Sequence, residues 1–359
     1  MTGRLHIVVG GQFGSEAKGH VAAQLGDRLA PGSLVVRTGG PNAGHTVIDE
    51  LGVEWKLRHV PTPAARRDDL VYALAARSVV NADVLGSEMN DLYAAGREFT
   101  MWVDPAATML TQDHIDEEEE TGQMHAIGST RKGIGAARKA RISRVGPIAA
   151  DTLDPSVLAD VAGLMRETLL QGRDVLIEAA QGYGLGLHTP YYPYCTSADC
   201  TAIDALADCR FSPWQFGVRP EVWMVLRPYP IRVAGTSGPL AGETTWDDLG
   251  LPEEHTTVTK KVRRVGQWDP ELAYEAAVAN GGDPNIALTM IDQVIPELAG
   301  QDSATEMETI LRSDLEIARD LNALLAIVRN DTGGCSIQAL GTGPATMVFA
   351  KDVPGRMSW

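Results

Sequence analysis

The stretch Leu5-His6-Ile7-Val8-Val9-Gly10-Gly11-Gln12-Phe13-Gly14-Ser15-Glu16-Ala17-Lys18-Gly19-His20 decides how the rest of the chain is read. It opens with an apolar run of strand length and continues into a glycine-rich turn. Beyond the turn, Val21, Ala22, Leu25 and Leu29 recur at helical spacing. A strand therefore ends at a loop that opens a helix, and such a junction binds anions: glycines let backbone N–H groups turn inward, the helix terminus adds partial positive charge, and Lys18 adds a full one. A second apolar run, Ser33 to Arg37, leads into Thr38-Gly39-Gly40-Pro41-Asn42-Ala43-Gly44-His45-Thr46. In an open α/β sheet, two strand ends carrying polar loops face one crevice. The spacing departs from GxxxxGK[ST], because no Ser or Thr follows Lys18, and from GxGxxG. Two such loops together, one with Lys and Glu and one with Asn and His, point to a phosphate site.

Composition bounds the function. Lys plus Arg number 31 against 47 Asp plus Glu, a net charge of -16, and 44% of residues are hydrophobic. Such a chain is expected to be soluble and to repel polyanions, which argues against nucleic acid as a partner but not against a nucleotide in a local basic pocket. The 359 residues contain no linker, repeat or low-complexity tract, and the expectation is a single domain, 1–359, with insertions. Neither a signal-type apolar region at the start nor a run of membrane-spanning length is present, so the expected location is the cytoplasm, away from membranes. Cys195, Cys200, Cys209 and Cys335 follow no framework spacing, and reduced thiols are expected.

Along the chain, strands are expected at Asp69 to Leu74, Phe99 to Val103, Asp174 to Ile177, Val222 to Leu226, Ile231 to Val233, Ile286 to Ile291 and Ser336 to Leu340. Helices are expected at about Ala82 to Ala95 with Asn81 as N-cap, Ala107 to Glu120, Asp151 to Leu170, Pro270 to Ala279 and through most of Ala304 to Val328. The acidic run Glu117 to Glu120 reads as a solvated helix face. This alternation predicts an α/β fold, a mostly parallel central sheet with helices on both faces. Two basic segments stand out in an acidic chain: Ile127 to Arg144, with three glycines and adjacent hydroxyls at Ser129 and Thr130, and Thr256 to Gly266. The first suggests an anionic ligand; the second, rich in Lys and Arg, suits carboxylates.

These residues resemble the adenylosuccinate synthetase family along nearly the whole chain. GGQFGSEAKGH at Gly10 to His20 is similar to the family's GxQWGDEGKGK, and GGPNAGHT at Gly39 to Thr46 to its GGxNAGHT. IGSTRKGIGA at Ile127 to Ala136, EAAQG at Glu178 to Gly182, YPYCTS at Tyr192 to Ser197, RRVGQW at Arg263 to Trp268, TMID at Thr289 to Asp292 and GTGP at Gly341 to Pro344 follow in the family's order. The resemblance implies a P-loop-NTPase-like synthetase fold and a two-step ligation. A nucleoside triphosphate phosphorylates the 6-oxygen of a purine monophosphate, and the amino group of aspartate then displaces that phosphate. His45, Ser15 and Lys18 would be the catalytic positions. Gly14, Glu16, Ala17, Lys18, Gly19, Gly44, Thr46, Asp292 and Gly343 would hold the triphosphate. Ser15, Asn42, Ser129, Thr130, Arg144, Gln181 and Thr196 would hold the acceptor nucleotide, with Arg144 reaching its 5′-phosphate from a neighbouring subunit of a homodimer. Thr259, Lys261 and Arg263 would bind aspartate, and Ser15 and Gly44 would ligate Mg2+.

Four departures from the family pattern carry information. Ser15 stands where the family has an Asp that removes the purine N1 proton, and a hydroxyl cannot do so unaided. The shorter side chain makes room beside N1 for a 2-amino group, and with Phe13 for Trp it is similar to the phage-type 2-aminoadenylosuccinate branch. The expected acceptor is thus dGMP, with a water or Glu16 as proton acceptor. Met290 replaces the Lys of TKLD, weakening guanine reading and favouring ATP or dATP as donor, and Lys261 replaces an Arg without its fork. An ordinary synthetase using IMP and GTP, and a non-catalytic nucleotide-binding regulator, are the alternatives.

Overall fold

The computed structural model describes residues 2–120, 127, 130–233, 235–255 and 261–352. Short apolar runs whose side chains are buried on both faces make its central sheet, as strands covered by helices on both sides must be. In chain order the nine strands are β1 (Leu5–Gly10), β2 (Leu34–Arg37), β3 (Val71–Leu74), β4 (Thr100–Val103), β5 (Val175–Glu178), β6 (Glu221–Leu226), β7 (Asn285–Leu288), β8 (Ile337–Gly341) and β9 (Met347–Phe349). Their order across the sheet is β9-β8-β7-β6-β1-β5-β2-β3-β4, parallel throughout except for β9 against β8. Along β1, Ile7 and Val9 pack into one apolar layer and Val8 into the other. The connections lead first to β2, β3 and β4 on one side and later to β6, β7 and β8 on the other. The chain therefore reverses direction across the sheet at β1, the place where open α/β sheets bind ligands.

Helix α1 (Lys18–Gly26) follows β1 directly. The helix expected after Asn81 runs Ala82–Ala94, and Asn81 caps it by accepting from Val84 N–H at 3.0 Å. Pro270–Ala279 is helical as expected, capped by Asp269. Three expected helices are interrupted. The chain at Thr108–Met109 pairs with Val79–Val80 as a short ribbon, so that helix is confined to Gln112–Glu120. Pro155, which removes a helical donor, separates Ala149–Thr152 from Val161–Leu170. Asp314 divides Ala304–Ser313 from Leu315–Asp331, and its carboxylate accepts from Glu316 and Ile317 N–H. The acidic run is not wholly solvated either: Glu118 is buried and accepts from Gly133 N–H, pinning the start of helix Ile134–Ile142. Ile231–Arg232 does not join the main sheet but pairs antiparallel with Arg264–Val265.

Candidate active site

Five of the loops expected at the site follow the carboxyl ends of β1, β2, β5, β7 and β8. The loop after β1 is built around its own carboxylate. Glu16 is fully buried; its Oε1 accepts from Gln12 N–H at 3.1 Å and Gly14 N–H at 2.8 Å, while Oε2 accepts from Lys18 Nζ at 2.6 Å. Glu16 is therefore a support of the loop, and its side chain is not available to a triphosphate or as the proton acceptor beside a base. Gly182 seals the inner side, since a Cβ there would lie 2.5 Å from Glu16 Oε1. Ser15 is exposed at the crest with φ 60°, and Ala17, at φ 65°, begins α1 without a side-chain cap, which leaves the first helical N–H groups as anion donors. Two distant residues fix the crest: Arg227 Nη1 donates to the Ser15 carbonyl at 3.3 Å, and Thr289 Oγ1 to that of Glu16 at 2.9 Å.

Seven non-glycine residues among those described have positive φ, and all but Arg210 lie in expected site segments: Ser15, Ala17, Arg131, Arg144, Gln181 and Met290. Each costs about 1 kcal/mol or more, and such strain collects where a backbone is shaped for a ligand.

His45 comes to this loop through a close approach. At Gly19 an added Cβ would meet His45 Cβ at 2.6 Å, so only glycine lets the imidazole lie against the start of α1. Parallel register places Arg37 opposite Glu178 at the ends of β2 and β5. Arg37 Nη1 donates to Glu178 Oε1 at 2.6 Å and lies 2.8 Å from His45 Nδ1, which in turn lies 2.5 Å from Glu178 Oε1. The other carboxylate oxygen accepts from Thr62 N–H at 2.8 Å and Oγ1 at 3.1 Å. Burial alone would raise the Glu178 pKa, but Arg37 and the His45 contact bring it below the usual carboxylate range. Glu178 accepts only, so Nδ1–H of His45 donates to it and Nε2 is left for a ligand. Burial, then Arg37, hold the His45 pKa down to about 4. An anionic phosphoryl group at Nε2 would reverse that balance and make the ring a donor.

Asn42, Gln181 and Thr196, expected at the acceptor nucleotide, line one cavity together with Thr38, Arg138 and Asp208. No local signal sets Arg138 apart from the other basic residues of its segment; it donates one long hydrogen bond, 3.5 Å, to Ser197 Oγ. Burial raises the neighbouring Asp208 to about 6 against the pull of Arg138 and Arg77. A more open depression of about 540 Å³, lined by Asp68, Arg97 and Thr100 among others, lies at the opposite, amino end of β4. Beyond β7, Asp292 follows the left-handed Met290; its Oδ1 is buried without a hydrogen-bond partner, and burial holds its pKa above the usual value. A base N–H is the kind of group such an oxygen lacks. Gly343 lies in the turn between β8 and β9, which His20 and Gln24 of α1 hold by bonding to Thr346 and Ala345 carbonyls.

The remaining expected residues are less converged. Gly44 and Thr46 are exposed, and strand alternation turns Thr46 to the face opposite His45. Thr130 and Lys261 are exposed, Arg263 is partly buried, and Arg144 is exposed just beyond the helix Ile134–Ile142. Ser129 and Thr259 lie outside the described residues. The Ser15 hydroxyl and Gly44 carbonyl are hard oxygen donors that suit Mg2+, but neither carries charge, so they fit an ion brought in on a triphosphate. Among the described residues no group of three His, Cys, Asp or Glu converges on a metal position.

A parallel sheet whose central strand ends in a glycine-rich anion loop, beside a buried histidine and carboxylate, defines an enzyme that binds nucleotides and handles phosphoryl groups. Comparison with known proteins gives the particular family. The adenylosuccinate synthetase family model matches residues 7–161 and 150–298, and the chain belongs to that family of C–N ligases. The N6-succino-2-amino-2'-deoxyadenylate synthase of Cyanophage S-2L is 35% identical over 298 residues, 77% of this chain and 80% of that protein. The adenylosuccinate synthetase of Pyrococcus horikoshii is 32% identical over 328 residues, 89% of this chain and 93% of its own length. Among solved structures, the Cyanophage S-2L succinoaminodeoxyadenylate synthetase bound to dGMP and dATP superposes with a TM-score of 0.79 at 29% identity, covering 100% of this chain and 97% of that one. Fully ligated adenylosuccinate synthetase from Plasmodium falciparum shares the fold, with a TM-score of 0.79 at 20% identity over 97% of this chain and 100% of its own.

Proposed function

We propose that this ligase joins L-aspartate to C6 of dGMP at the expense of ATP or dATP, giving 2-amino-2'-deoxyadenylosuccinate, the nucleoside diphosphate and phosphate. The observation that carries this reading is Ser15 as the exposed side chain of the loop crest, with Glu16 consumed inside the loop. A short hydroxyl beside N1 leaves space for the 2-amino group of guanine, and no carboxylate of this loop is left to discriminate against it. The S-2L relative bound to dGMP and dATP supports the same choice.

In the first step the γ-phosphoryl group passes to O6, the N1 proton leaves to water at Ser15, and the diphosphate departs. Lys18 and the N–H groups at the start of α1 hold the phosphates, and Asp292 reads the donor base. Mg2+, held by Ser15 and Gly44, would supply charge neutralisation on the triphosphate. His45, backed by Glu178, donates to the transferring oxygen. In the second step the aspartate amine attacks C6, the C6–O bond breaks, phosphate leaves with its electron pair, and the amine proton is lost to solvent. Asn42, Gln181, Thr196 and Arg138 would hold the acceptor. Thr259, Lys261 and Arg263 would hold aspartate. We place the whole chain in one domain and in a homodimer, each Arg144 reaching the 5′-phosphate bound to the other subunit; Ile142 and Val145, 79% and 78% exposed beside it, are the apolar surface such an interface would cover.

The archaeal matches at similar identity favour a second reading, IMP with GTP. Turnover across dGMP, GMP, IMP and dIMP with ATP, dATP and GTP separates the two. Ser15→Asp, which the left-handed backbone at this position tolerates, is expected to move preference toward IMP. Preference for IMP in the unmodified protein would overturn the dGMP reading.

A further inference from the structure

Arg227, directly after β6, is fully buried and grips one carboxylate with both prongs: Nη2 donates to Glu254 Oε1 at 2.5 Å and Nη1 to Oε2 at 3.1 Å. The same guanidinium reaches the Ser15 carbonyl at 3.3 Å and Gln293 Oε1 at 3.3 Å, while Gln293 Nε2 donates to Glu254 Oε1 at 3.4 Å. Backbone bonds lock the arginine further, Arg227 N–H to Gln12 Oε1 at 3.1 Å and Gln12 Nε2 to the Arg227 carbonyl at 2.9 Å. The pair thus ties the glycine-rich loop and the Asp292 turn to the segment before the basic loop.

Arg263 stands next to this pair and is only loosely part of it. Its backbone N–H donates to the Glu254 carbonyl at 2.8 Å, but Nη1 is 3.7 Å from Glu254 Oε2, and its buried Nε has no hydrogen-bond partner. Two guanidinium groups therefore share one carboxylate, and the sharing is unequal. A second carboxylate arriving here finds both terminal nitrogens of Arg227 engaged, with only its buried Nε lacking a hydrogen-bond partner, whereas the terminal nitrogens of Arg263 meet Glu254 no closer than 3.7 Å.

We propose that Glu254 is a positioning residue for the amino-acid substrate: an internal carboxylate that occupies Arg227, so that a carboxylate of an incoming amino dicarboxylic acid is received by Arg263 and not by Arg227. This rests on the reading that aspartate is the amino donor. Without the Glu254 charge, a substrate carboxylate would settle between the two arginines. Binding would tighten, because two guanidinium groups attract more strongly than one, while the amine would sit away from C6.

The test is calorimetric binding of L-aspartate and of succinate, which lacks the amine, together with steady-state turnover, in the wild type, Glu254→Gln, Glu254→Asp and Arg227→Met/Glu254→Gln. Glu254→Gln is expected to bind succinate at least tenfold more tightly with kcat lowered at least tenfold. Glu254→Asp keeps the charge and should bind succinate within threefold of the wild type. In the double variant, which loses the second guanidinium, succinate binding should return to near the wild-type value; a purely supporting role for Glu254 predicts no such reversal. Should Glu254→Gln fail to fold with Arg227 uncompensated, the comparison of the charge-free double variant and Glu254→Asp with the wild type decides the matter: the proposal requires near-equal succinate binding in all three. Weaker or unchanged succinate binding in folded Glu254→Gln would overturn the proposal, as would weakened binding in both of the other variants. Failure of the wild type to consume aspartate would instead overturn the reading of function, and the binding comparison would still judge Glu254.

Discussion

Replacing Glu178 by Gln tests whether the buried carboxylate makes His45 a donor. The contact is 2.5 Å from His45 Nδ1 to Glu178 Oε1, with both side chains almost wholly removed from water. Unit charges centred about 4 Å apart at an effective dielectric constant of about 20 interact by about 4 kcal/mol, equivalent to about three pKa units. The amide keeps the shape and loses that charge, so an imidazolium facing a transferring phosphoryl group becomes harder to form by a similar amount. A fall in kcat of about 10²- to 10³-fold at pH 7 is expected, with the KM of the phosphate donor within about threefold because other loops hold it. Arg37 would be left buried without its counter-charge, at a cost of about 3 to 5 kcal/mol. Thermal unfolding must therefore show that the variant is folded at the assay temperature. Phosphate release measured from pH 6 to 9 reads the chemistry. A folded Glu178→Gln protein with kcat within threefold of the wild type would refute the assignment.

Asp292→Ala is expected to raise the KM of the donor nucleotide by about tenfold or more, because the buried Oδ1 then no longer awaits a base donor, and to leave the acceptor KM unchanged; an equal rise in both would contradict base reading. Arg138→Gln should weaken binding of a purine monophosphate by about tenfold or more and the corresponding nucleoside hardly at all, measured by calorimetry; parallel losses would mean that Arg138 only supports the cavity wall. Burial holds His20 and His45 down to about 4 and His59 to about 3, so the folded state keeps them neutral. Their contribution is complete above the unfolded value near 6.5 and is lost as pH falls toward those lowered values, on the order of 3 kcal/mol each for His20 and His45 and about 5 kcal/mol for His59. Chemical denaturation should show stability dropping between pH 6.5 and 4, and a flat profile there would contradict burial of these rings.

The sequence by itself determined the fold class, because apolar runs of strand length alternating with helical periodicity admit little besides a covered parallel sheet, and the turn after Val9 marked the central strand. It also pointed to Lys18, His45 and Asp292, whose neighbours in the chain carry glycine or motif signals. The helix start at Asn81 was legible because capping is local. The tertiary structure alone decided what depends on partners far away in the chain. It turned Glu16 inward, gathered Arg37 and Glu178 about His45 through strand register, and brought Arg138 to the cavity lined by Asn42, Gln181 and Thr196. Charged ends on otherwise apolar strands, LVVR and VLIE, were the available signal for Arg37 and Glu178. Which charge each would meet was set by the pairing of β2 with β5, and that pairing is a property of the folded sheet, whose order across space is not its order along the chain.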